Sequence, residues 1–258
     1  MVRSWFRRDR PGLPEGWQQI LATRSAQWAR LDAAERERLA DLADGFARTK
    51  RWEAARGVEI TDEIRTLVSS HAALLILGLD ESRFDQVRTI VVRKNAMRRA
   101  APTPSWGRVP GVVSGAPSII DGEAHDHRGP LMINWTTFRR EAAQPRWGRD
   151  VVLHEFAHKI DMHDLSVDGT PLVPDDEFRA RWIEVCTAEY EALQDGPDLD
   201  GVLRDYAGTN PAEFFAVTTE VFFTRGLLLA ERKPTLYDIF RTFYGQDPAE
   251  RERRAAVA

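Results

Sequence analysis

The chain has 258 residues, of which 43% are hydrophobic and 29% are charged. A chain of this length and composition can bury one sizeable core, so disorder throughout is excluded. Its formal net charge of −4 gives no electrostatic reason to expect nucleic acid or an anionic membrane surface as a direct partner.

Targeting and membrane signals are not evident in the sequence. Residues 1–10 contain four arginines, but no apolar run follows them as it would in a secretory signal. No stretch approaches the ~18 uncharged apolar residues of a membrane-spanning helix. Cys186 is the only cysteine, which excludes a disulfide framework and a thiolate zinc cage. We therefore expect a soluble cytoplasmic protein in which Cys186 is a buried space-filler.

The first third of the chain predicts helices. Leucine and phenylalanine recur at helical spacing within 32–50, and a shorter helical segment lies at 16–23. A third helix should begin with Thr61 as its N-cap and end at Gly78. His71 lies in the apolar run of this third helix. We expect it to be a hydrogen-bonded core residue, because no second metal ligand lies near it.

Short β-branched segments replace the helical pattern after residue 86. The candidate strands lie at 87–92, 112–113, 118–120 and 131–135, separated by a Pro- and Gly-rich stretch and by the polar loop 121–130. They predict a small sheet beside the functional site. Within it, 129–135 is a candidate edge strand that could pair with an extended substrate main chain. An ordinary core strand is an equally weighted alternative for this segment.

A His-x-His pair in the polar loop offers one metal-ligand spacing. His125 and His127 are surrounded by acidic and basic residues, which is typical of a solvated loop, so we favour a loop over a metal site. His163, further along the chain, is interpreted as polar surface.

The segment Val151–Asp161 carries the strongest chemical signal. His154 and His158 are four residues apart, which places both imidazoles on one face of a helix, where they can bind one metal ion. Glu155 lies beside the first histidine and could reach a water molecule activated by that ion. The flanking turns are apolar, and buried histidines need partners. A zinc site is therefore favoured over two histidines held by ordinary hydrogen bonds.

Two histidines leave a catalytic zinc ion one protein ligand short. The sequence has no histidine after His163, and the carboxylates that follow it are better placed. Asn210 and Pro211 predict the start of a helix that continues into an aromatic run. Glu213 then lies in the first turn of a buried helix, where an unpaired carboxylate would be costly and a metal-bound one is satisfied. Glu220, two turns along the same face, could orient a ligand histidine from behind.

Three segments together resemble a known family. His154–Asp161, Asp205–Ala207 and Asn210–Val217 look like the motifs of the Mlc titration factor family of zinc peptidases. These peptidases belong to the gluzincins, and their site is similar to that of the anthrax lethal factor catalytic domain. The resemblance covers roughly residues 61–247.

The resemblance implies a role for each residue of the site. The residues that it assigns to one bound Zn²⁺ are His154, His158 and Glu213. Glu155 would be the catalytic carboxylate, and Tyr206 would assist from the opposite side. Glu220 and Asp161 are candidates for outer partners of the ligands.

The chain departs from the family pattern at two places. Arg93-Lys94 stand where members usually carry an aromatic-proline pair, and a proline that is usual near Gly226 is absent. We expect neither position to touch the zinc residues.

The expected architecture is a single α+β, mainly helical domain with a zincin-like core and a small sheet. Its N-terminal helical part would span 1–85 and its zincin core 86–245. The charged, alanine-rich tail at 246–258 is expected to be frayed helix or disordered.

The expected function is zinc-dependent hydrolysis of a peptide or protein, with aminopeptidase activity as one candidate form. Glu155 would act as general base and then acid, and Tyr206 would donate to the oxyanion. For Tyr206 the alternative is a buried phenol near a turn. The alternative function, implied by the resemblance, is a regulatory protein that sequesters a transcriptional repressor, with zinc structural or vestigial. An intact Glu155 and only three apparent ligands argue for catalysis.

Overall fold

Helices dominate the fold in the computed structural model, which describes residues 11–94, 97–98, 119–120, 129–164, 167–173 and 175–257. The α-helices are α1 Trp17–Arg24, α2 Ala26–Arg30, α3 Ala33–Thr49, α4 Asp62–Leu75, α5 Trp135–Ala142, α6 Val151–Asp161, α7 Asp176–Asp195, α8 Pro211–Thr224, α9 Gly226–Arg232, α10 Pro234–Tyr244 and α11 Pro248–Val257. The strands are β1 Arg51–Ala54, β2 Thr89–Arg93, β3 Met97–Arg98, β4 Ile119–Ile120 and β5 Leu131–Asn134. The predicted α+β, mainly helical class is confirmed.

Side-chain caps fix the N-terminal helices where the sequence predicted them. Asp32 and Glu35 form a reciprocal capping box at the start of α3, and Thr61 accepts a hydrogen bond from the amide of Ile64 to begin α4. Helix α2, which Ser25 caps, was not predicted. It is five residues long, too short to show a helical period.

Gly78 has a different task from the predicted one. Helix α4 ends at Leu75, so the prediction that Gly78 ends it is wrong by a few residues. A Cβ at Gly78 would lie 2.3 Å from the carbonyl oxygen of Tyr244. Glycine is therefore required here by the close approach of the segment after α10.

The larger sheet is parallel and has the order β1-β2-β5. Arg51 pairs with Thr89 and Ile90 pairs with Leu131. Strands β2 and β5 match the predicted segments 87–92 and 131–135, and β5 lies at an edge of the sheet. Strand β1 was not predicted, because four residues of mixed polarity show no alternation.

The second sheet pairs β3 with β4 in antiparallel register. Strand β4 overlaps the predicted strand at 118–120. The predicted strand at 112–113 and the loop histidines His125 and His127 lie outside the described residues.

Two helices lie at the centre of the core. Every residue of α6 is buried, and Phe156 packs edge-on against Phe46 and Phe84. Helix α8 is buried from Phe214 to Thr224, with Phe215 packed against Trp182. These aromatic contacts fix both helices in place, so side chains at their N-terminal turns are positioned by the core.

The C-terminal segment is ordered and packed. Residues Pro248–Val257 form α11, so the helical alternative for the tail is correct, whereas fraying and disorder are wrong. Ala249 is fully buried, Arg251 donates to Glu35 at 2.8 Å, and Gln246 donates to the carbonyl of Leu74. The arginines mislead a composition-based prediction because their stems pack against the protein while their charges are paired.

None of the helices in the described part of the chain is long and apolar enough to cross a bilayer.

Candidate metal centre

Two carboxylates anchor the N-terminus of α6. Asp150 is the N-cap, and its Oδ1 accepts hydrogen bonds from the amides of Val152 and Leu153. Glu141 Oε2 accepts a hydrogen bond from the amide of Val151 at 3.0 Å. Free amide groups and the helix dipole favour negative charge at this end. The helix that carries the motif therefore has a fixed start and orientation.

The two motif histidines meet one turn into this helix. His154 Nε2 and His158 Nε2 are 3.2 Å apart, and their rings are nearly perpendicular. Both rings are largely buried. The predicted spacing thus brings both nitrogens to one point on the helix surface.

Glu213 reaches the same point from α8. Asn210 caps this helix by accepting from the Glu213 amide at 2.9 Å, and Pro211 occupies the first helical position. Glu213 Oε2 lies 3.1 Å from His154 Nε2 and 3.5 Å from His158 Nε2. These three residues form the group in the described part of the chain whose ligand atoms could hold one metal ion.

The spacing of the three atoms fits a tetrahedral ion. Bonds of about 2.1 Å to a tetrahedral zinc ion place neighbouring ligand atoms about 3.4 Å apart. The three measured separations, from 3.1 to 3.5 Å, bracket that value. Glu213 Oε2 is also buried and forms no regular hydrogen bond within the described residues. Buried acceptors are normally satisfied, so the donor set fits a metal ion.

A glycine permits the approach of α8 to the end of α6. Gly169 has φ 75°, and a Cβ there would lie 2.4 Å from the Pro211 carbonyl oxygen. Its amide donates to Asp161 Oδ2, and its carbonyl accepts from Trp182 Nε1. Asp161 therefore supports the segment that seats the first turn of α8.

Glu220 lies behind His154. Its Oε1 accepts from His154 Nδ1 at 2.8 Å, and its Oε2 accepts from the Asp150 amide at 2.7 Å. A second donor to Oε1 is Arg204, at 2.5 Å. The position two turns after Glu213 thus points to the outer side of the imidazole, where a carboxylate can fix the ring's orientation.

The charges of the site perturb one another strongly. Burial lowers the pKa of His154, but the carboxylates of Glu220 and Glu213 outweigh it and raise the pKa to about 10. Burial raises the pKa of Glu213, but the two imidazoles hold it far below its usual range. Without a metal, the raised pKa therefore favours the imidazolium form of His154, which carries one proton more than the neutral ring. Metal binding requires the neutral ring, so it must displace that proton.

Glu155 is buried beside the charged groups of the site. The residue is 3% exposed, and its Oε2 has no hydrogen-bond partner among the described residues. Burial raises its pKa to about 7; His154 opposes the shift, and Glu213 and Glu220 add to it. A carboxylate with a pKa near neutrality can both accept and return a proton.

Arg93 was not expected near the site. It is buried at the end of β2, and its charge is close enough to lower the pKa of Glu155. This is an electrostatic effect on Glu155, so the expectation that Arg93-Lys94 does not touch the zinc residues stays a prediction. Strand pairing explains the position of Arg93, because β2 lies between β1 and β5 and ends beside the start of α5.

Tyr206 lies on the solvent side of the cluster. It is the second residue of the turn Asp205–Gly208 and is about half exposed. Its ring centroid is 6.1 Å from that of His154. Partial burial and the nearby carboxylate of Glu213 raise the pKa of Tyr206. The phenol thus remains a proton-bearing donor at neutral pH.

Other residues singled out in the sequence lie elsewhere. The prediction for His71 is confirmed: it is buried, with Nε2 2.9 Å from Ser25 Oγ and Nδ1 2.5 Å from Asp150 Oδ2. Cys186 is buried in α7, as predicted. His163 lies in the short turn after α6 and is partly exposed. Arg204 was missed because its partner Glu220 is distant in the sequence. Asp150 was missed although its place directly before the motif helix is a local N-cap signal.

The fold and this constellation define a class. A mainly helical α+β fold with ligand-bearing helices beside a small sheet is that of the zincin-like metallopeptidases. The chain belongs to the glucose-regulated metallo-peptidase M90 family, whose model matches residues 2–245.

Relatives agree over most of the chain. The uncharacterized protein slr2042 of Synechocystis is 32% identical over 238 residues, covering 92% of this chain and 86% of the relative. Mlc titration factor A of Edwardsiella ictaluri is 33% identical over 233 residues, covering 86% and 85%. Mlc titration factor A of Serratia proteamaculans is 31% identical over 243 residues, covering 92% and 89%. The resemblance to the Mlc titration factors is confirmed.

Proposed function

We propose that the protein is a zinc-dependent peptidase whose metal ligands are His154, His158 and Glu213. The convergence of three ligand atoms, each 3.1 to 3.5 Å from the next, carries this proposal. Two imidazoles and one carboxylate that leave one position open are the donor set of catalytic zinc. One ion per chain is expected.

Each remaining group has a task in peptide hydrolysis. A bound zinc ion would lower the pKa of its water to about 7 and polarise the substrate carbonyl. Glu155 would take a proton from the attacking water at its unpartnered Oε2 and return it to the leaving amine. Tyr206 would donate its phenolic proton in a hydrogen bond to the developing oxyanion.

The substrate would lie along the sheet. Strand β5 lies at an edge of the larger sheet, and its residues Leu131–Asn134 precede the metal-bearing helix. An extended peptide could add to this edge through main-chain hydrogen bonds. Aminopeptidase activity is one form of the proposed reaction. A reducing cytoplasm suits a chain with one buried thiol.

A second candidate function comes from the names of the relatives. Proteins that are 31 to 33% identical are called Mlc titration factors, which points to binding of a transcriptional regulator. In a purely regulatory protein the metal could be structural. The buried carboxylate of Glu155, whose Oε2 has no hydrogen-bond partner among the described residues, favours catalysis, because a structural site does not need a general base. Both functions can coexist.

The test separates catalysis from metal binding. Purified protein is assayed on a panel of peptides with free and blocked amino termini, with zinc and with a chelator. Glu155→Gln keeps the size of the side chain and removes the base, so it should retain zinc while hydrolysis falls at least ~10²-fold. Glu184→Gln, at an exposed position of α7, is the matched control. Equal turnover in Glu155→Gln and the parent protein would refute the proposed mechanism and favour the regulatory function.

A further inference from the structure

Arg204 touches several parts of the metal centre without reaching the ligand cluster itself. Its Nη2 donates to Glu220 Oε1 at 2.5 Å, and its Nη1 donates to the Gly148 carbonyl at 3.5 Å. Its guanidinium carbon lies 5.8 Å from the centroid of the Tyr206 ring. One side chain therefore links α8, the loop before α6 and the turn that carries Tyr206.

The contact with Glu220 completes the set of donors around that carboxylate. Oε1 accepts from His154 and Arg204, and Oε2 accepts from the Asp150 amide. Donors on both oxygens leave the carboxylate plane little freedom to rotate. The fixed carboxylate in turn orients the imidazole of His154 through the 2.8 Å hydrogen bond from Nδ1.

The contact with Tyr206 is made from the same turn. Arg204 caps the turn Asp205–Gly208, and its carbonyl accepts from the amide of Ala207 at 2.8 Å. Its guanidinium lies within the distance at which a cation is attracted to an aromatic ring. Because the backbone and the side chain of Arg204 both hold this turn, they limit where the half-exposed phenol can point.

An exposed ion pair would be the simpler interpretation, but burial argues against it. Exposed pairs contribute little to stability. Here the carboxylate is 2% exposed and the arginine side chain 26%. A buried carboxylate that loses one donor suffers an uncompensated desolvation cost. The Arg204–Glu220 pair therefore restricts the orientation of both side chains more than an exposed pair would.

We propose that Arg204 is a positioning residue that fixes His154, through Glu220, and the Tyr206 ring in one arrangement. This inference rests on the proposed zinc site and names a determinant of its geometry. It predicts that Arg204 affects both metal affinity and turnover, although it contacts neither the three ligands nor the reacting atoms. It also predicts that the effect on zinc affinity depends on Glu220 and that the effect on turnover depends on Tyr206.

The first measurement is zinc affinity by chelator competition, which does not depend on activity. Arg204→Gln should weaken zinc binding ~10- to 100-fold, as loss of an outer partner of a ligand histidine does. Arg241→Gln removes an exposed arginine from an ion pair on α10 and should stay within about twofold of the parent protein. The visible absorption spectrum of the Co²⁺-loaded protein should change for Arg204→Gln and not for Arg241→Gln.

The second measurement uses steady-state kinetics and double-mutant cycles. Arg204→Gln should lower kcat ~10-fold with KM nearly unchanged. Combination with Tyr206→Phe should be non-additive in kcat, and combination with Glu220→Gln should be non-additive in zinc affinity. Arg204→Lys keeps the charge, but a single ammonium cannot bind Glu220 and lie over the ring together. It should therefore retain zinc better than Arg204→Gln and still lose kcat.

The outcomes distinguish this inference from the proposed function. A parent protein that binds no zinc would overturn both. If the parent protein binds zinc and Arg204→Gln has the same zinc affinity, Co²⁺ spectrum and kcat as the parent, the inference alone is overturned. If Arg204→Gln does not fold, as judged by the thermal unfolding of the metal-free protein, Arg204→Lys decides. Parental kcat in that variant would refute the role of Arg204.

Discussion

The two ring nitrogens of His154 face different partners. Nδ1 lies 2.8 Å from Glu220, and Nε2 lies 3.1 Å from Glu213. A proton on Nδ1 bonded to a carboxylate leaves the lone pair of Nε2 free to bind a metal. The position of Glu220 therefore favours the tautomer with the proton on Nδ1, which is the one that the proposed metal site needs. Glu220 thereby links the buried core to that site.

The first prediction at the residue scale concerns Glu213. Glu213→Ala removes a proposed ligand and should weaken zinc binding by more than the ~10- to 100-fold that loss of an outer partner costs. Elemental analysis of the purified, dialysed protein measures the zinc content. Glu184→Ala removes an exposed glutamate from α7 and should retain full zinc. Full occupancy in Glu213→Ala would show that another group completes the site.

Tyr206 allows a separate test, because its phenol and its ring have different tasks. Tyr206→Phe removes one oxygen and keeps the ring near His154 and Arg204. Loss of an oxyanion donor should lower kcat at least ~10-fold while KM and zinc affinity change little. Steady-state kinetics and chelator competition on the same preparation measure these quantities. A lowered melting temperature with unaltered kcat would show that Tyr206 only packs.

At the scale of elements, a lysine clamp holds the segment between α7 and the Tyr206 turn. Lys233 Nζ lies 2.8 Å from Glu189, 3.1 Å from Asp198 and 3.2 Å from Asp200. Asp198 Oδ2 also accepts hydrogen bonds from the amides of Val202 and Leu203. The clamp thus ties the long helix α7 and the start of α10 to the loop that leads into the site.

The clamp should be sensitive to acid. Burial raises the pKa of Asp198, but the amides of Leu203 and Val202 and the ammonium of Lys233 outweigh it and hold the pKa below its ordinary value of 3.8. A lowered pKa stabilises the fold above about 3.8, and this contribution is lost as the pH falls through the folded-state pKa. Asp198→Asn should therefore lower the melting temperature near neutral pH.

Thermal unfolding of the parent protein and Asp198→Asn across a series of pH values checks this prediction. The difference between the two melting temperatures should shrink as the pH is lowered below about 4. Asp238→Asn, in an exposed pair with Arg241, should change the melting temperature little at any pH. A difference for Asp198→Asn that is constant with pH would refute the electrostatic role of its carboxylate.

The sequence predicted elements where their signals are local. Thr61 and Asn210 cap helices within three residues of themselves, and the metal motif lies within a single helix. The missed elements lack such signals. Strand β1 is defined by pairing with β2, and α11 by burial against distant helices. For the same reason the motif predicted which side chains converge, whereas Arg93 and Arg204 became visible only through tertiary contacts.

At the scale of the whole molecule, the C-terminus closes onto the N-terminal helices. Arg251 Nε donates to Glu35, a member of the box that caps α3, and its Nη2 donates to Gln246. The side chain of Arg251 is 6% exposed. Helix α11 is thus linked to the start of α3, and this contact should stabilise both helices.

Arg251→Ala tests this joining of the ends. It should lower the free energy of unfolding by about 2 to 3 kcal/mol, because hydrogen bonds to a charged partner are lost in a buried setting. Chemical denaturation measures the change. Arg253→Ala, two residues further on, removes an exposed pair with Glu250 and should cost less than about 1 kcal/mol. Equal effects of the two variants would show that Arg251 stabilises the fold no more than an exposed ion pair does.

A buried hydrogen-bonded chain runs from Ser25 through His71 to Asp150, in the order of a charge-relay hydrolase. Its role here is structural, because it links α2, α4 and α6. The polar atoms of the three residues are 2.9 and 2.5 Å apart, and all three residues are at most 5% exposed. The adjoining cavity has room for about one water molecule. No acyl group could reach that hydroxyl. Inhibition by a chelator and indifference to serine-directed phosphonates should therefore accompany any peptidase activity of this protein.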